Sequence, residues 1–294
     1  MGKLKLGAYT VETSSLDKIL FPGDEITKGE VIEYYRRIAD AILPHVQGRP
    51  LSMQRYPNGI QKGGFYQQEA PDYFPEWIDR MTVEKEGGEI VHVICNSAAT
   101  LVYLANQNVI TPHVWLSRKE HVRKPDQIIF DLDPSGDDVA AVQKAARQVR
   151  EILDEHGLCA YVMTTGSSGM HVRAPIHPEH DFDVARQFAR RLAESLAERY
   201  SGEVTTEQRK NKRGGRIYLD VMRNAYAQTA VTPYAVRAIE GAPIATPLDW
   251  DELRDADPRR YTIRNIFRRM GQKEDPWANM YRSATHLPTP EVNA

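Results

Sequence analysis

The segment Gln127-Ile-Ile-Phe-Asp-Leu-Asp-Pro134 decides the fold class, because it is the clearest strand in the chain. Its apolar residues favour β structure, and the proline ends it. Side chains alternate across a strand, so Asp131 and Asp133 share one face. Their separation along the strand is about 6–7 Å, which lets both bind one hard cation such as Mg²⁺ or Mn²⁺. The alternative is a solvated strand end before a turn, which is the usual meaning of an isolated Asp-x-Asp pair.

Helices and further strands are predicted on both sides of this segment. Apolar residues recur at three- and four-residue steps in the helical stretches, and short apolar runs between turn residues indicate strands. The capping box Thr27-Lys28-Gly29-Glu30 opens one predicted helix. The predicted helices cover 27–46, 97–107, 138–156 and 183–200, and the predicted strands cover 160–164, 170–174, 216–222 and several runs within 50–94, with 1–26 irregular. We therefore expect an α+β fold in which helices flank a central mixed or antiparallel sheet.

The composition excludes disordered and fibrous proteins and a generic polycation. The chain has 294 residues, 38 Lys and Arg against 40 Asp and Glu, and 41% hydrophobic residues. We expect a single domain over 1–294, with 1–120 and 121–294 as intimately packed halves. Cys95 and Cys159 cannot build a disulfide framework, and we expect both to be buried thiols.

The sequence gives no sign of membrane targeting. No stretch approaches about 18 uncharged apolar residues, and the N-terminal segment Met1-Gly-Lys-Leu-Lys-Leu-Gly-Ala-Tyr-Thr10 lacks the apolar core of a signal peptide. We therefore expect a cytoplasmic protein with no membrane partner.

A third carboxylate is available at Asp220, at the end of another predicted strand. If that strand lies beside the first, three acids meet on neighbouring strands. Such a set holds the ions of two-metal phosphoryl or nucleotidyl transfer.

The turn Thr164-Thr-Gly-Ser-Ser-Gly-Met-His171 offers backbone N–H groups, hydroxyls and an imidazole, which suit an anion. Neither a Walker A loop nor a GxGxxG motif is present. A run of basic residues adjoins the third acid and could hold a polyanion, although a solvated charged hairpin is the commoner meaning of such a run. The run consists of Arg209, Lys210, Lys212, Arg213, Arg216 and Arg223.

Three further groups of residues invite a functional interpretation. Phe65 and Tyr66 follow two glycines and could stack on bases of a single strand, or they could be core aromatics. Lys18 and Lys28 could clamp a phosphate, although exposed lysines usually have no specific role. A metal cluster of His171, His177 and His180 is not expected, because cysteine or carboxylate ligands at a zinc spacing are lacking.

Taken in order, these motifs resemble the polymerase domain of bacterial and archaeal ligase D, a family of the archaeo-eukaryotic primase superfamily. The resemblance extends from about residue 12 to the C-terminus and is carried by the whole ordered set. Its parts are Leu16-Asp-Lys-Ile-Leu-Phe-Pro22, Gly63-Gly-Phe-Tyr-Gln67, Asp131-Leu-Asp-Pro134, the Gly-Ser-Ser-Gly-Met-His turn, Asp220-Val-Met-Arg-Asn224, Thr232-Pro-Tyr-Ala-Val-Arg237 and Pro276-Trp277.

The resemblance implies a role for each matching residue in a primase-polymerase-like catalytic core. The acids would hold two divalent ions, Mn²⁺ or Mg²⁺, the two lysines would bind a downstream 5′-phosphate on gapped or broken DNA, and the aromatic pair would stack on the template. The implied catalytic and metal-binding residues are Asp131, Asp133 and Asp220, the nucleotide-binding residues are Thr165, Ser167, Ser168, His171, His113, Arg223 and Arg237, the phosphate-binding residues are Lys18 and Lys28, and the template-stacking residues are Phe65 and Tyr66.

The chain departs from the family at the nucleotide-binding turn. The family turn usually reads Ser-Gly-Ser-Lys-Gly-x-His, whereas Thr165 replaces the first serine here and Ser168 replaces the lysine. A hydroxyl survives at 165, so we expect nucleotide binding to persist, while the loss of the lysine removes one contact to the triphosphate.

The resemblance implies a template-directed nucleotidyltransferase that extends primers and fills gaps during non-homologous end joining, favouring ribonucleoside triphosphates. The ligase motif Lys-x-Asp-Gly is absent from the 294 residues, so we expect ligation by a separate DNA ligase. The resemblance implies this ligase and a Ku-like protein as partners. Two alternatives are a replicative-type primase or primase-polymerase and a non-catalytic DNA-end-bridging protein. The three acids argue against the bridge, because a buried carboxylate cluster is costly without its cation.

Overall fold

A computed structural model describes residues 2–85 and 87–288. The chain forms two compact units, each assembled from separate stretches of sequence. Unit 1 comprises the described residues of Met1–Trp115, Thr229–Ala245 and Tyr261–Glu274, and unit 2 those of Leu116–Gln228, Thr246–Arg260 and Asp275–Ala294. The division into a single domain with halves at 1–120 and 121–294 stays a prediction.

Helices and mostly antiparallel strands make up both units, as expected for an α+β protein. The strands are β1 (Gly2–Leu6), β2 (Tyr9–Thr13), β3 (Ile19–Phe21), β4 (Ile26–Thr27), β5 (Leu51–Arg55), β6 (Phe65–Gln67), β7 (Arg80–Lys85), β8 (Gly88–Val93), β9 (Val109–Trp115), β10 (Gln127–Asp133), β11 (Tyr161–Thr164), β12 (Met170–Pro175), β13 (Val204–Thr205), β14 (Ile217–Asp220), β15 (Thr229–Val231) and β16 (Pro247–Leu248). The helices are α1 (Lys28–Arg37), α2 (Ala39–Val46), α3 (Ala98–Asn106), α4 (Val139–Glu155), α5 (Phe182–Arg199) and α6 (Ile266–Met270).

Unit 1 is built on a four-stranded antiparallel sheet in the order β15-β9-β5-β6. Helices α1 and α3 pack against each other beside it, around a core of aliphatic and aromatic side chains. Two buried tyrosines of α1 fix the helix in place: the hydroxyl of Tyr34 donates to the Tyr234 carbonyl at 2.6 Å, and that of Tyr35 to the Ile110 carbonyl at 2.5 Å. These bonds satisfy the polar ends of two side chains that the apolar core encloses.

Unit 2 is built on a six-stranded sheet in the order β13-β14-β10-β12-β11-β16. Its pairings are antiparallel except for β13 with β14, so the sheet is mixed. Strand β10 lies in the middle, and its Phe130 and Leu132 are fully buried on the face opposite the two aspartates. Helices α4 and α5 pack against the sheet. The central strand is therefore held on both sides and exposes only its acidic end.

Three sequence predictions are wrong. The helix expected over 27–46 is two helices, because the backbone turns at Ile38, where ψ is −2°. Each piece keeps a buried apolar face, with Val31 and Tyr35 in α1 and Ile42 and Val46 in α2. The N-terminal 26 residues are not irregular, since β1 pairs with β2 and β3 with β4. Cys95 is buried as expected, but Cys159 is exposed, because it lies in the connection after Gly157 ends α4.

Within residues 2–85 and 87–288, every helix is too short or too polar to cross a membrane.

Candidate active site

Three carboxylates meet at the end of the central strand of unit 2. Asp131 lies directly opposite Asp220 in the antiparallel pairing of β10 with β14, and Asp133 is two residues further along the same face. One oxygen from each of the three lies within 4.8 Å of the other two. Among the described residues, this is the only group of three or more His, Cys, Asp or Glu side chains placed to share a metal ion. His171, His177 and His180 do not form one.

The electrostatics of the cluster favour a bound cation. Burial, followed by the charges of Asp131 and Asp220, raises the pKa of Asp133 to about 6. Burial is also the largest cause that raises the pKa of Asp220. Burial acts in the same direction on Asp131, but His171 and Arg223 outweigh it and hold the pKa of Asp131 below its ordinary value. Carboxylate oxygens are the preferred ligands of Mg²⁺ and Mn²⁺, so the residues present fit a divalent ion.

Two buried side chains, His171 and Arg173, form a series of polar contacts that begins at Asp131. The Nε2 atom of His171 lies 3.3 Å from Oδ1 of Asp131, and Nη2 of Arg173 lies 3.3 Å from Nδ1 of His171. A guanidinium can only donate, so Nδ1 of His171 accepts this bond and the imidazole proton is on Nε2, facing Asp131. Arg173 is 1% exposed, donates to Oε1 of Gln127 and lies over the Trp277 ring.

Arg173 was missed by the sequence analysis. The available signal was a charged residue inside the apolar strand His171-Val-Arg-Ala, two positions after the histidine and so on the same face.

The predicted anion-binding turn lies beside the acids. A Cβ atom at Gly169 would be 2.4 Å from the carbonyl oxygen of Leu132, so only glycine allows the turn to approach β10 this closely. The Thr165 hydroxyl lies 2.8 Å from that of Ser167 and 3.0 Å from the Gly169 carbonyl, and accepts from the Gly169 N–H. Thr165 therefore holds the turn in shape, while Ser168 is exposed and Ser167 half-buried.

The segment after β14 places Arg223 and Asn224 at the same strand. Nε of Arg223 lies 3.6 Å from Oδ2 of Asp131. The side chain of buried Asn224 accepts from the N–H of Ile129 and donates to its carbonyl, at 2.8 and 2.7 Å. Asn224 thus continues the edge of β10 where β14 ends, a structural role that the sequence alone did not reveal.

The basic run has two kinds of member. Arg213 is buried over the Tyr218 ring and donates to the carbonyls of Glu207 and Gln208. Arg216 donates to the carbonyls of Arg213, Ser201 and Lys212. These two arginines hold the loop together, whereas Arg209, Lys210 and Lys212 are exposed. The polyanion site stays a prediction.

Unit 1 carries the predicted template-stacking pair. Phe65 is 49% and Tyr66 58% exposed, so the alternative of core aromatics is wrong. The Tyr66 ring meets the His113 ring edge-on, with centroids 5.4 Å apart. A Cβ atom at Gly64 would be 2.5 Å from the Arg55 carbonyl, which explains the glycine before the pair.

The two predicted phosphate-binding lysines also lie in unit 1, at the hairpin of β3 and β4. The Lys28 N–H donates to the Lys18 carbonyl at 2.8 Å, and Nζ of Lys18 donates to the carbonyl of Pro57. Lys28 is only 3% exposed, and burial, followed by the charge of Lys18, lowers its pKa to about 8. Arg237 lies in the same unit, with its N–H donating to the Pro243 carbonyl.

Comparison with known proteins supplies the family. Residues 27–277 match the model of the LigD primase-polymerase domain. The chain is 31% identical over 281 residues to the bifunctional non-homologous end joining protein LigD of Bacillus subtilis, covering 95% of this chain and 45% of the relative. It is 31% identical over 269 residues to the multifunctional LigD of Mycolicibacterium smegmatis, covering 90% and 35%. The chain thus spans less than half the length of these relatives.

A solved structure agrees with this assignment. The polymerase domain of Mycobacterium tuberculosis ligase D, in complex with DNA, superposes with a TM-score of 0.87 at 29% identity, covering 93% of this chain and 99% of that one. A family of primase-polymerase domains implies nucleotidyltransferase activity. With the three acids and the adjoining turn at its central strand, this chain belongs to the LigD primase-polymerase domain family.

Proposed function

We propose that the chain is a template-directed nucleotidyltransferase that extends primers and fills gaps at DNA double-strand breaks during non-homologous end joining. The observation that carries this proposal is the convergence of Asp131, Asp133 and Asp220 beside the turn Thr165–Gly169, in a chain of the LigD primase-polymerase family. A scaffold that only bridges DNA ends has no use for a cluster of buried and half-buried carboxylates that repel one another.

The three acids would hold two Mn²⁺ or Mg²⁺ ions. When bound, such ions lower the pKa of a primer hydroxyl and neutralise charge on the triphosphate. The protein itself supplies position and charge around them. His171 presents its Nε2–H toward the acids, Arg223 brings a guanidinium to Asp131, and the turn with Ser167 and Ser168 offers donors for phosphate oxygens.

Unit 1 would supply residues that bind the template, the incoming nucleotide and the 5′-phosphate of the DNA. The exposure of Phe65 and Tyr66 supports stacking on template bases, a contact worth about 1–3 kcal/mol per base. His113, in contact with Tyr66, and Arg237 would bind the incoming nucleotide. Lys18 and Lys28 would bind the 5′-phosphate of a gap. The N–H groups of Lys28 and Gly29 already bond backbone carbonyls, so the lysine side chains would supply this contact.

The substrates and partners follow from the same proposal. DNA with a gap or a broken end and ribonucleoside triphosphates would be the substrates, and a separate ligase and a Ku-like protein would be the partners. The relatives that match along 35–45% of their length are named as end-joining proteins, which supports this setting.

Primer extension on a gapped template tests the proposal. We expect Mn²⁺- or Mg²⁺-dependent addition that a 5′-phosphate stimulates and that favours ribonucleotides. Loss of a residue that only hydrogen-bonds a metal ligand typically costs roughly 10–100-fold in activity. Asp131 is proposed as a ligand itself, so Asp131→Asn should lower the rate of nucleotide addition by more than this. Binding to gapped DNA should persist. Asp154→Asn, at a surface ion pair of α4, is the control and should retain activity. Synthesis only from bare template would instead indicate a primase, and inactivity with every substrate would contradict the proposal.

A further inference from the structure

Arg259 reaches the turn Thr165–Gly169 from a segment about ninety positions away in the sequence. Its Nε–H donates to the carbonyl oxygen of Ser167 at 2.9 Å. Its backbone N–H donates to Oδ1 of Asp257 at 2.7 Å, which fixes the base of the side chain. Arg259 and the turn both lie in unit 2. The side chain is exposed, and within the described residues its two terminal nitrogens contact no protein acceptor.

The turn Thr165–Gly169 contains no cationic side chain of its own. The Thr165 hydroxyl is engaged inside the turn with Ser167 and Gly169. Ser168 is exposed and uncharged. The turn alone thus offers dipoles to a ligand that carries several negative charges. A guanidinium presents its N–H groups as a rigid fork that matches phosphate oxygens, and a charged donor strengthens such bonds about twofold over neutral ones.

The bond to Ser167 leaves Arg259 prepared for such a ligand. Because Nε is the nitrogen that the carbonyl occupies, both terminal amino groups remain for an anion. The bond also removes part of the side chain's rotational freedom before any ligand arrives. Gly169 holds the turn against Leu132, between Asp131 and Asp133 in the strand, so an anion bound at the turn lies beside the acids.

We propose that Arg259 is a triphosphate-binding residue of this protein, supplying the positive charge that Ser168 does not bring to the turn. This inference rests on the proposed function and adds a residue to its nucleotide site. The alternative is a structural staple, in which Arg259 only fastens the segment around Asp257 to the turn. A staple would act through the shape of the turn, so a cation added elsewhere on the turn would not restore what its removal costs, whereas a phosphate ligand acts through its charge.

The test compares Arg259→Gln with wild-type protein in primer extension at varied ribonucleotide concentration. We expect the KM for the nucleotide to rise about tenfold or more with little change in kcat. Arg260→Gln is the matched control, since Arg260 is the neighbouring arginine, is also exposed, and its Nη1 donates to the Asp255 carbonyl. We expect the control to keep the wild-type KM.

Rescue separates charge from stapling. Ser168→Lys, introduced into Arg259→Gln, should recover most of the lost affinity, because it places a cation on the same turn without restoring the bond to Ser167. Arg259→Lys keeps the charge and loses the forked guanidinium, so its KM for the nucleotide should lie between those of wild type and Arg259→Gln. Thermal unfolding of each variant checks that folding is intact, and if Arg259→Gln does not fold, Arg259→Met takes its place as the variant without charge.

Calorimetric titration of the protein with ATP in the presence of Mn²⁺, without DNA, distinguishes failure of the inference about Arg259 from failure of the proposed function. If wild-type protein binds ATP and Arg259→Gln binds it equally well, the inference is overturned while the proposed function stands. If wild-type protein neither binds ATP nor extends a primer, the proposed function fails and the inference fails with it. A loss of affinity in Arg259→Gln that Ser168→Lys does not recover would indicate the staple.

Discussion

Asp131 and Asp220 are directly paired residues on neighbouring antiparallel strands, so the register of β10 with β14 is what brings the third carboxylate to the other two. A slip of one residue would turn Asp220 to the opposite face of the sheet. Asn224 helps to fix this register, because its side chain bonds both backbone groups of Ile129 just beyond the last β14 pair. The acid cluster is therefore as stable as the strand pairing that makes it.

The first prediction concerns the repulsion within this cluster. The pKa of Asp133 is raised to about 6, by burial and then by the other two carboxylates. A carboxyl group with a higher pKa in the folded than in the unfolded state stabilises the fold when protonated. Its contribution is complete below about pH 4 and is lost as the pH rises through 6.

In a chelator, Asp133→Asn should therefore be more stable than wild type at pH 8, by about 1–2 kcal/mol after allowance for partial exposure. The difference should vanish near pH 4, and Mn²⁺ should stabilise wild type more than the variant. Thermal unfolding across this pH range measures it, with Asp154→Asn as the control. Equal stability of variant and wild type at pH 8 would show that the acids do not strain the metal-free fold.

The second prediction concerns the approach of the turn to β10. Gly169→Ala would place a Cβ atom 2.4 Å from the Leu132 carbonyl, and backbone cannot yield cheaply there. We expect a loss of about 1–3 kcal/mol in the free energy of unfolding. We also expect a larger KM for nucleotide, because the turn moves away from the acids. Denaturant unfolding and primer extension give the two readouts.

Gly136→Ala is the matched control for this substitution. Gly136 follows the same strand, lies outside the left-handed region of the backbone and has open space where a Cβ would be. It should stay within about 0.5 kcal/mol of wild type. If Gly169→Ala behaves like Gly136→Ala, then the turn is less constrained than its contact with Leu132 indicates.

The third prediction concerns the pair Lys18 and Lys28. Because the pKa of Lys28 is lowered to about 8 by burial and by Lys18, its charge is lost as the pH rises through that value. A 5′-phosphate is already dianionic above about pH 7. The preference for gaps with a 5′-phosphate over gaps with a 5′-hydroxyl should thus fall by up to about tenfold for each pH unit above the pKa of Lys28 in the free protein, and level off above its higher pKa in the complex.

Fluorescence anisotropy with both gapped DNAs between pH 7 and 9.5 measures this preference. Lys28→Met should remove both the preference and its pH dependence, whereas Lys62→Met, at an exposed lysine of unit 1, should change neither. If the lysine acted only through a general electrostatic effect, Lys28→Met would weaken binding to both DNAs equally, and the effect would decrease as the salt concentration rises.

The sequence predicted the central strand and the position of Asp131 and Asp133 on one face of it, because an apolar run and side-chain alternation are local properties. It missed β1 and β2 although Lys3-Leu-Lys-Leu6 alternates and Gly7, at φ +59°, forms the turn. It could not show the break at Ile38, since buried residues keep their spacing across it. Contacts such as Arg259 with Ser167 join segments about ninety residues apart, and nothing local encodes them.

The last prediction concerns the tautomer of His171. Since Arg173 can only donate, its bond to Nδ1 places the imidazole proton on Nε2, which faces Asp131. Long-range proton–nitrogen spectra of protein labelled with ¹⁵N-histidine, recorded at pH 8, should show an unprotonated Nδ1 for this residue. The resonance is assigned by its loss in His171→Gln, and this measurement does not depend on polymerase activity.

Arg173→Met should remove the donor while keeping much of the contact with Trp277. Both tautomers then become available, so the Nδ1 and Nε2 resonances should move toward each other, and nucleotide addition should fall as the Nε2–H donor is presented less often. Arg173→Lys retains a donor and should restore the original spectrum in part. An unchanged spectrum in Arg173→Met would mean that Asp131 alone orients the imidazole and that Arg173 serves only to fill the interior beneath Trp277.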